Sequence, residues 1–201
     1  LRSAASFFAS SAAATVSVDK PVAEFELPAT GGHPWKLKDA RGSKLVLYFY
    51  PRDNTPGCTQ EGSDFAALAA RFKAAGTQIV GISRDSLASH EKFRDRMGYP
   101  FALLSDEQEQ VCRQFDVIRM KTLYGRSSLG VERSTFLLDA QGVLRREWRK
   151  VRVAGHAAVW REAAKALGKP LCAGCSCSTR TCSCMIRPAF SVSRSTTSIC
   201  Q

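Results

Sequence analysis

Two hydrophobic periodicities alternate along the middle of the chain, one typical of strands and one typical of helices. Residues 44–50 form a continuous apolar and aromatic run, which predicts a strand buried on both faces. In residues 60–75 the apolar side chains recur every three to four positions, which predicts an amphipathic helix ending at Gly76. A second buried strand is predicted at 78–83 and a second helix at 86–97. The chain therefore repeats a strand followed by a helix.

Shorter elements are predicted on both sides of this repeat. They are a hairpin around Gly31 and Gly32, a strand at 101–104, a helix from 105 to about 115, a hairpin made by 134–139 and 143–148, and a last helix at 155–167. Crossover connections make parallel neighbours and tight hairpins make antiparallel ones, so the order predicts an α/β fold with a central mixed sheet flanked by helices. This is the element order of a thioredoxin-like fold.

The two ends of the chain lack these periodicities, which sets the predicted domain boundaries. Residues 1–18 are rich in Ala and Ser and show no repeating apolar pattern, so we predict an unstructured N-terminal extension. Residues 19–168 are predicted to form one domain with a sizeable core. Residues 169–201 hold six of the eight cysteines and few apolar residues, which predicts a Cys-rich, disordered tail.

The net charge of +11 does not concentrate in a nucleic-acid-binding surface. Residues 1–20 carry +1, residues 21–168 carry +6 and residues 169–201 carry +4. The dense basic cluster at 145–152 has strand-like spacing and a single aromatic residue, which favours a solvated strand edge. No apolar run approaches the roughly 20 residues that span a bilayer. We therefore expect neither nucleic acid nor a membrane as a partner.

The distribution of cysteines bears on the compartment and on metal binding. The predicted domain has two cysteines far apart in sequence, Cys58 and Cys112, which is typical of a cytoplasmic protein without disulfides. The Ser-rich, acid-poor start, which lacks an initiating Met, leaves open an organellar transit remnant.

The tail spacings Cys172-x-x-Cys175-x-Cys177 and Cys182-x-Cys184 suit Zn²⁺ or Cu(I). A metal-binding or interaction protein acting through the tail is thus an alternative, although we expect no metal and no cofactor.

Cys58 is the candidate nucleophile. The apolar run ends at Pro51, and the chain turns through Thr55, Pro56 and Gly57 to place Cys58 at a predicted helix start. Free N–H groups and a partial positive charge at a helix N-terminus favour a thiolate, which is the reactive form of cysteine. The alternative is a small buried core cysteine, but a Pro-rich and Gly-containing turn argues against a core position.

The sequence around Cys58 resembles a known family. The pattern Pro51-x-x-x-Thr55-x-x-Cys58 is similar to the active-site signature of peroxiredoxins, and the run from Thr55 to Glu61 resembles the subfamily called bacterioferritin comigratory protein or peroxiredoxin Q. Further similar segments follow in the same order at 46–51, 81–85, 104–106, 123–125, 130–136 and 142–145. The resemblance covers about residues 19–168 and neither end.

The resemblance implies a thioredoxin-dependent peroxidase that reduces hydrogen peroxide and organic hydroperoxides to water and alcohols through a cysteine sulfenic acid. Cys58 would be the nucleophile, Thr55 would hydrogen bond to the peroxide, Pro51 would shield the sulfur from water, and Arg133 would stabilise the thiolate. The alternative for Arg133 is a surface cation beside a strand. For Glu61 the sequence leaves two roles open, a catalytic one and that of a first-turn acid favourable to the helix dipole.

The sequence also indicates how the sulfenic acid is recycled. Ser63 stands where many members of the subfamily carry a second cysteine, and the predicted helix at 86–97 contains none. We therefore expect a one-cysteine mechanism in a monomer, with thioredoxin, glutaredoxin or glutathione as the external reductant. Cys112 is expected to be partly buried and inert. A thiol-disulfide oxidoreductase of the same fold is disfavoured, because Thr55 occupies the place of the first cysteine of a Cys-x-x-Cys pair.

Overall fold

A computed structural model of the chain describes residues 15–123, 126–152 and 162–163. The helices are α1 (Pro56–Ala74), α2 (Leu87–Met97) and α3 (Gln110–Gln114), and Leu37–Ala40 forms a short 3₁₀ turn. The strands are β1 (Glu26–Leu27), β2 (Trp35–Lys36), β3 (Lys44–Phe49), β4 (Thr77–Ser83), β5 (Ala102–Ser105), β6 (Ile118–Leu123), β7 (Arg126–Val131), β8 (Ser134–Leu138) and β9 (Leu144–Trp148).

Five strands form the central sheet, in the order β5-β4-β3-β8-β9. The pairs β3–β4 and β4–β5 are parallel because a helix connects each of them, while β3–β8 and β8–β9 are antiparallel. Strand β3 lies in the middle, and all six of its residues are buried. The mixed sheet predicted from the sequence, with the run after Ser43 at its centre, is confirmed.

The sheet separates two hydrophobic cores. Alternate residues of β3 point to opposite faces, so Leu47 belongs to one core and Tyr48 to the other. Residues of α1 and α2, including Cys58, pack in the core around Tyr48, whereas α3 with Cys112 packs in the core around Leu47. The two cysteines of the domain therefore lie on opposite faces of the sheet.

Helix α1 begins four residues before the helical periodicity that predicted it. Its first turn consists of Pro56, Gly57, Cys58 and Thr59, which give no apolar pattern. The start of the helix is determined instead by the extended N-cap residue Thr55 and by proline at the first helical position. Helix α2 ends as predicted at Gly98, which adopts the left-handed conformation at φ 64°.

One hairpin and one helix differ from the prediction. The hairpin β6–β7 was not predicted, because the cross-strand partners Met120 and Leu129 are both exposed and hide the alternation of a half-buried strand. Helix α3 is shorter than the predicted segment from 105. The carboxylate of Asp106 accepts hydrogen bonds from the N–H groups of Gln110 and Cys112, so the residues before Gln110 form a capping loop.

The two predicted end segments fall largely outside the described residues, as does the final helix. The N–H of Val16 donates to the carbonyl of Gln114 at 3.1 Å, so residues 15–18 already run along the domain. Of the predicted helix at 155–167, Glu162 and Ala163 are described, and both are helical. The tail at 169–201 and its candidate metal ligands lie outside the described part. Within the ranges that the structure describes, no helix is both long and apolar enough to cross a bilayer.

Candidate active site

Cys58 is the third residue of α1 and is 3% exposed. The N–H groups of a first turn have no carbonyl partners within the helix, and the helix dipole adds a partial positive charge there. A thiolate at this position is therefore stabilised by α1 itself. The side chain belongs to the core between α1, α2 and the sheet, so it is shielded from bulk water as well.

Arg133 brings a full positive charge to the same sulfur. It lies between β7 and β8, and the pairing of Ser134 with Phe49 places it at the carboxyl end of β3. Its Nη2 donates to Cys58 Sγ at 3.3 Å, and its side chain is 15% exposed. The Arg133 carbonyl accepts a hydrogen bond from the N–H of Val151 at 3.0 Å, which fixes its backbone. Sheet pairing thus brings together two residues that are remote in sequence.

Glu61 shares this guanidinium with the sulfur. It lies one turn after Cys58 on α1, is 2% exposed, and its Oε2 accepts a hydrogen bond from Arg133 Nη1. Its Oε1 is buried and has no hydrogen-bond partner among the described residues. Burial raises the pKa of Glu61 to about 7, although Arg133 acts in the opposite direction. As the sixth residue of α1, Glu61 is not a first-turn acid, so that explanation of its presence is wrong.

Thr55 and Pro51 lie in the loop between β3 and α1. Thr55 is the N-cap residue, and its carbonyl accepts the N–H of Thr59 at 2.9 Å. Its hydroxyl makes no cap and donates instead to the carbonyl of Arg52 at 3.3 Å, so the oxygen keeps lone pairs for a further donor. Pro51 is half-buried at the bend that follows β3. All four predicted site residues therefore lie around the carboxyl end of β3.

A buried polar group beneath this loop was missed from the sequence. Asp53 and His90 form an ion pair of 2.9 Å between Oδ2 and Nδ1, in which the side chains are 2% and 0% exposed. The available signal was the position of His90, three residues before Phe93 on the buried face of α2. Spacing alone could not identify Asp53 as its partner, because the two residues lie on different elements.

Cys112 is fully buried, at 0% exposure, so the prediction of partial burial is wrong. The short helix α3 is pressed against the core by Val111 and Phe115, which are also fully buried. Burial raises the pKa of the Cys112 thiol well above its ordinary value, and nearby Asp106 adds to the effect. The thiol is therefore neutral and unreactive at physiological pH.

Comparison with known proteins places the chain in a defined group. The profile of the AhpC/TSA family matches residues 18–147. Peroxiredoxin Bcp of Xanthomonas campestris is 50% identical over 154 residues, which cover 76% of this chain and 96% of the relative. Peroxiredoxin Bcp of Bacillus subtilis is 42% identical over 144 residues, covering 72% of this chain and 92% of the relative.

Solved structures show the same likeness. The bacterioferritin comigratory protein of Xanthomonas campestris, studied for its alkyl peroxide reduction activity, superposes with a TM-score of 0.68 at 50% identity and covers 71% of this chain and 91% of that one. BcpB of Mycobacterium tuberculosis gives a TM-score of 0.68 at 33% identity and covers 76% of this chain and 99% of that one. In both cases the likeness covers more than nine tenths of the solved chain.

Proposed function

The chain belongs to the AhpC/TSA family, in the branch of peroxiredoxin Bcp and peroxiredoxin Q, and we propose that Cys58 is the peroxidatic nucleophile with which it reduces organic hydroperoxides and hydrogen peroxide. The observation that carries the assignment is the 3.3 Å contact from Arg133 Nη2 to the Cys58 sulfur at the first turn of a helix. Alkyl peroxide reduction is the activity studied in the relative from Xanthomonas campestris.

The reaction at Cys58 is a displacement on oxygen. The thiolate attacks one oxygen of the peroxide, the O–O bond breaks, and the other oxygen leaves as an alkoxide or hydroxide that takes up a proton. The products are a Cys58 sulfenic acid and an alcohol or water. Two external thiols then reduce the sulfenic acid, forming a disulfide between themselves and releasing water.

Arg133 stabilises the negative charge as it moves from the sulfur to the peroxide oxygens. Because the guanidinium is already held by Glu61 and by its own fixed backbone, it needs no reorganisation during the reaction. Thr55 is positioned to accept a hydrogen bond from the peroxide, since its hydroxyl proton is already donated to the carbonyl of Arg52. Pro51 has no N–H and places an apolar ring at the bend after β3, and we propose that it shields the sulfur from water.

We propose a one-cysteine mechanism with thioredoxin as the reductant and with glutaredoxin or glutathione as alternatives. A disulfide requires the Cα atoms of its two cysteines to lie within roughly 7 Å of each other, and Cys112 cannot come so close to Cys58 without crossing the sheet.

In the described part of the chain the large exposed apolar side chains are Val18, Met120 and Leu129, and so small an apolar surface supports a monomer. Both cysteines in the described part of the chain are free, which fits a reducing compartment, the cytoplasm or an organelle.

Stopped-flow reaction with cumene hydroperoxide tests the assignment of Arg133. Arg133→Ala is expected to slow sulfenic acid formation by about 10²-fold or more, because it removes a fixed charge at the reacting centre. Arg133→Lys keeps the charge but loses the two-pronged donor geometry, so it should restore part of the rate. Arg113→Ala, which removes an exposed guanidinium that binds Glu109, is the control and should react like the wild type. An unchanged rate in Arg133→Ala would leave this residue a merely structural role.

A further inference from the structure

A fully buried ion pair lies beneath the loop that carries Pro51 and Thr55. Asp53, midway along this loop, projects its carboxylate into the core between β3, β4 and α2, where His90 of α2 faces it. The side chains are 2% and 0% exposed, and neither residue has a part in the chemistry proposed for Cys58. Burial of polar groups is costly unless each is hydrogen bonded, and both side chains have several partners.

The carboxylate of Asp53 is surrounded by donors. Oδ1 accepts from the Tyr50 hydroxyl at 2.9 Å, and Oδ2 accepts from the Ser89 hydroxyl at 2.7 Å and from His90 Nδ1 at 2.9 Å. Burial alone would raise the pKa of Asp53, but the hydrogen bonds from His90 and Ser89 outweigh it and hold the pKa below its ordinary value. The carboxyl group is therefore ionised and can only accept hydrogen bonds at neutral pH.

Both ring nitrogens of His90 face oxygen atoms in the core. Nε2 lies 3.1 Å from the carbonyl oxygen of Leu104 in β5. Nδ1 lies 2.9 Å from Oδ2 of Asp53. The ring therefore links the loop at Asp53 to the sheet.

The same loop is held by its backbone. The N–H of Asp53 donates to Oδ2 of Asp85 at 2.7 Å, and this carboxylate also accepts from the Ser83 hydroxyl at 2.9 Å, directly at the end of β4. Residue 53 is thus fixed to α2 through its side chain and to the sheet through its main chain. Because Thr55 follows two residues later as the N-cap of α1, the placement of residue 53 sets the position of the first turn of α1.

We propose that the Asp53–His90 ion pair is a positioning pair for the peroxide reaction: it holds the loop between β3 and α1 so that the sulfur of Cys58 stays within reach of Arg133. Neither residue touches the peroxide. The inference rests on the proposed function, since the step that it assists is the attack of Cys58 on the O–O bond. Arg133 holds the sulfur from the side of β8, and the ion pair holds the entry to α1 from the side of α2.

The position of the pair determines which step is sensitive to it. Loss of the pair lets the first turn of α1 shift, and a displacement of about 1 Å at a reacting centre slows a reaction by up to about 100-fold. Reduction of the sulfenic acid by a small thiol is less sensitive, because in that step Cys58 is neutral and does not depend on the charge of Arg133. The two half-reactions, measured separately, therefore distinguish a positioning role from a general loss of structure.

The first test measures both half-reactions in variants of the pair. Asp53→Asn and His90→Gln are expected to slow sulfenic acid formation by about 10- to 100-fold, while reduction of the sulfenic acid by dithiothreitol changes less than about threefold. The double variant should be no slower than the slower single variant, because each change breaks the same interaction. Val117→Ala, which removes buried apolar volume on the opposite face of the sheet, controls for lost stability and should keep the wild-type peroxide rate.

The second test needs no substitution at the pair. In protein labelled with ¹⁵N-histidine, Nδ1 of His90 should carry a proton that is hydrogen bonded to Asp53. An Nδ1 without that proton in the wild type would overturn the pair even if Asp53→Asn failed to fold. A wild-type peroxide rate in a folded Asp53→Asn or His90→Gln would overturn the positioning role. Failure of the proposed function looks different, since the wild type itself would then show no reaction that depends on Cys58.

Discussion

One guanidinium, that of Arg133, serves both the sulfur of Cys58 and the carboxyl group of Glu61. The charge of Glu61 therefore decides how much of the guanidinium field acts on the sulfur. When Glu61 is protonated, the positive charge of Arg133 is opposed by the thiolate alone. When Glu61 ionises, it neutralises part of that charge and adds a second anion next to the reacting centre. We therefore expect Glu61 to make the rate of the peroxide reaction depend on pH.

Glu61→Gln tests this coupling, because it keeps the shape and the hydrogen bond to Arg133 but cannot ionise. Burial raises the pKa of Glu61 to about 7, so the wild-type rate of sulfenic acid formation should inflect near pH 7, and the variant should lack that inflection. Stopped-flow rates between pH 5 and pH 9 measure it. Identical pH profiles for the two proteins would contradict the coupling.

Stability should follow the same titration. A carboxyl group whose pKa is higher in the folded than in the unfolded state binds its proton more tightly when folded, so it stabilises the fold below its unfolded value and loses that effect as pH rises through about 7. Relative to Glu61→Gln, the wild type should lose up to about 3 kcal/mol of unfolding free energy between pH 4.5 and pH 7. Urea titrations at these two pH values provide the comparison.

At the scale of an element, α1 depends on a glycine in its interior. A Cβ at Gly62 would lie 2.4 Å from the hydroxyl oxygen of Tyr99, and that hydroxyl donates to the carbonyl of Thr59 at 3.1 Å. Glycine normally weakens a helix interior by roughly 0.5–1 kcal/mol relative to alanine. Here it permits the tyrosine to lie across α1, one turn from Cys58, and to hold the helix on the core.

Gly62→Ala is accordingly expected to destabilise the protein, although the same change on an open helix would stabilise it. Overpacking against the ring costs about 1–3 kcal/mol, which exceeds the gain in helix propensity. Urea unfolding measures the effect. In a Tyr99→Ala background the clash is absent, and the same substitution should become neutral or stabilising. A stabilising effect in the wild-type background would show that the contact with Tyr99 is loose.

The elements that could be predicted from sequence are those whose packing follows local periodicity. Strand β3 has no polar residue after Lys44, and α2 ends at a left-handed glycine, so both follow from the sequence alone. The hairpin β6–β7 could not be predicted, because exposure of Met120 and Leu129 removes the periodic signal. Its importance comes from connectivity, since it leads the chain from α3 to Arg133.

The site residues differ in the same way: some follow from local sequence, and others depend on contacts between distant segments. Cys58 and its turn are local and could be found from residue types. Arg133 could be assigned only through family resemblance. Its contact with Cys58 depends on the pairing of β3 with β8, and these strands are far apart in sequence. The Asp53–His90 pair could not be predicted from the local sequence, since each member by itself is an ordinary loop or helix residue. Long-range pairing of polar groups is a property of the folded chain.

At the scale of the whole molecule, the sheet keeps the two domain cysteines apart. Cys58 packs in the core covered by α1 and α2, while Cys112 is fully buried in the opposite core. A disulfide between them would therefore require the sheet or α3 to open. The architecture therefore favours recycling by a separate reductant.

Cys112→Ser tests this account in a chain whose six tail cysteines are serine, so that Cys58 and position 112 are compared without any other thiol. Turnover of cumene hydroperoxide with thioredoxin should be retained within about twofold of the parent chain. Glutathione and glutaredoxin, assayed in parallel, rank the reductants. A variant that consumes one equivalent of peroxide and then stops would identify Cys112 as the resolving cysteine and contradict the one-cysteine mechanism.

The most direct test of the assignment of Cys58 is to trap its oxidation product. The full chain is treated with one equivalent of cumene hydroperoxide in the presence of dimedone, which reacts with sulfenic acids, and the adduct is located by peptide mass mapping. We predict one adduct per chain, on the peptide that contains Cys58, and neither an adduct there nor rapid peroxide consumption in Cys58→Ser. An adduct confined to a tail cysteine, or unchanged peroxide consumption by Cys58→Ser, would contradict the assignment.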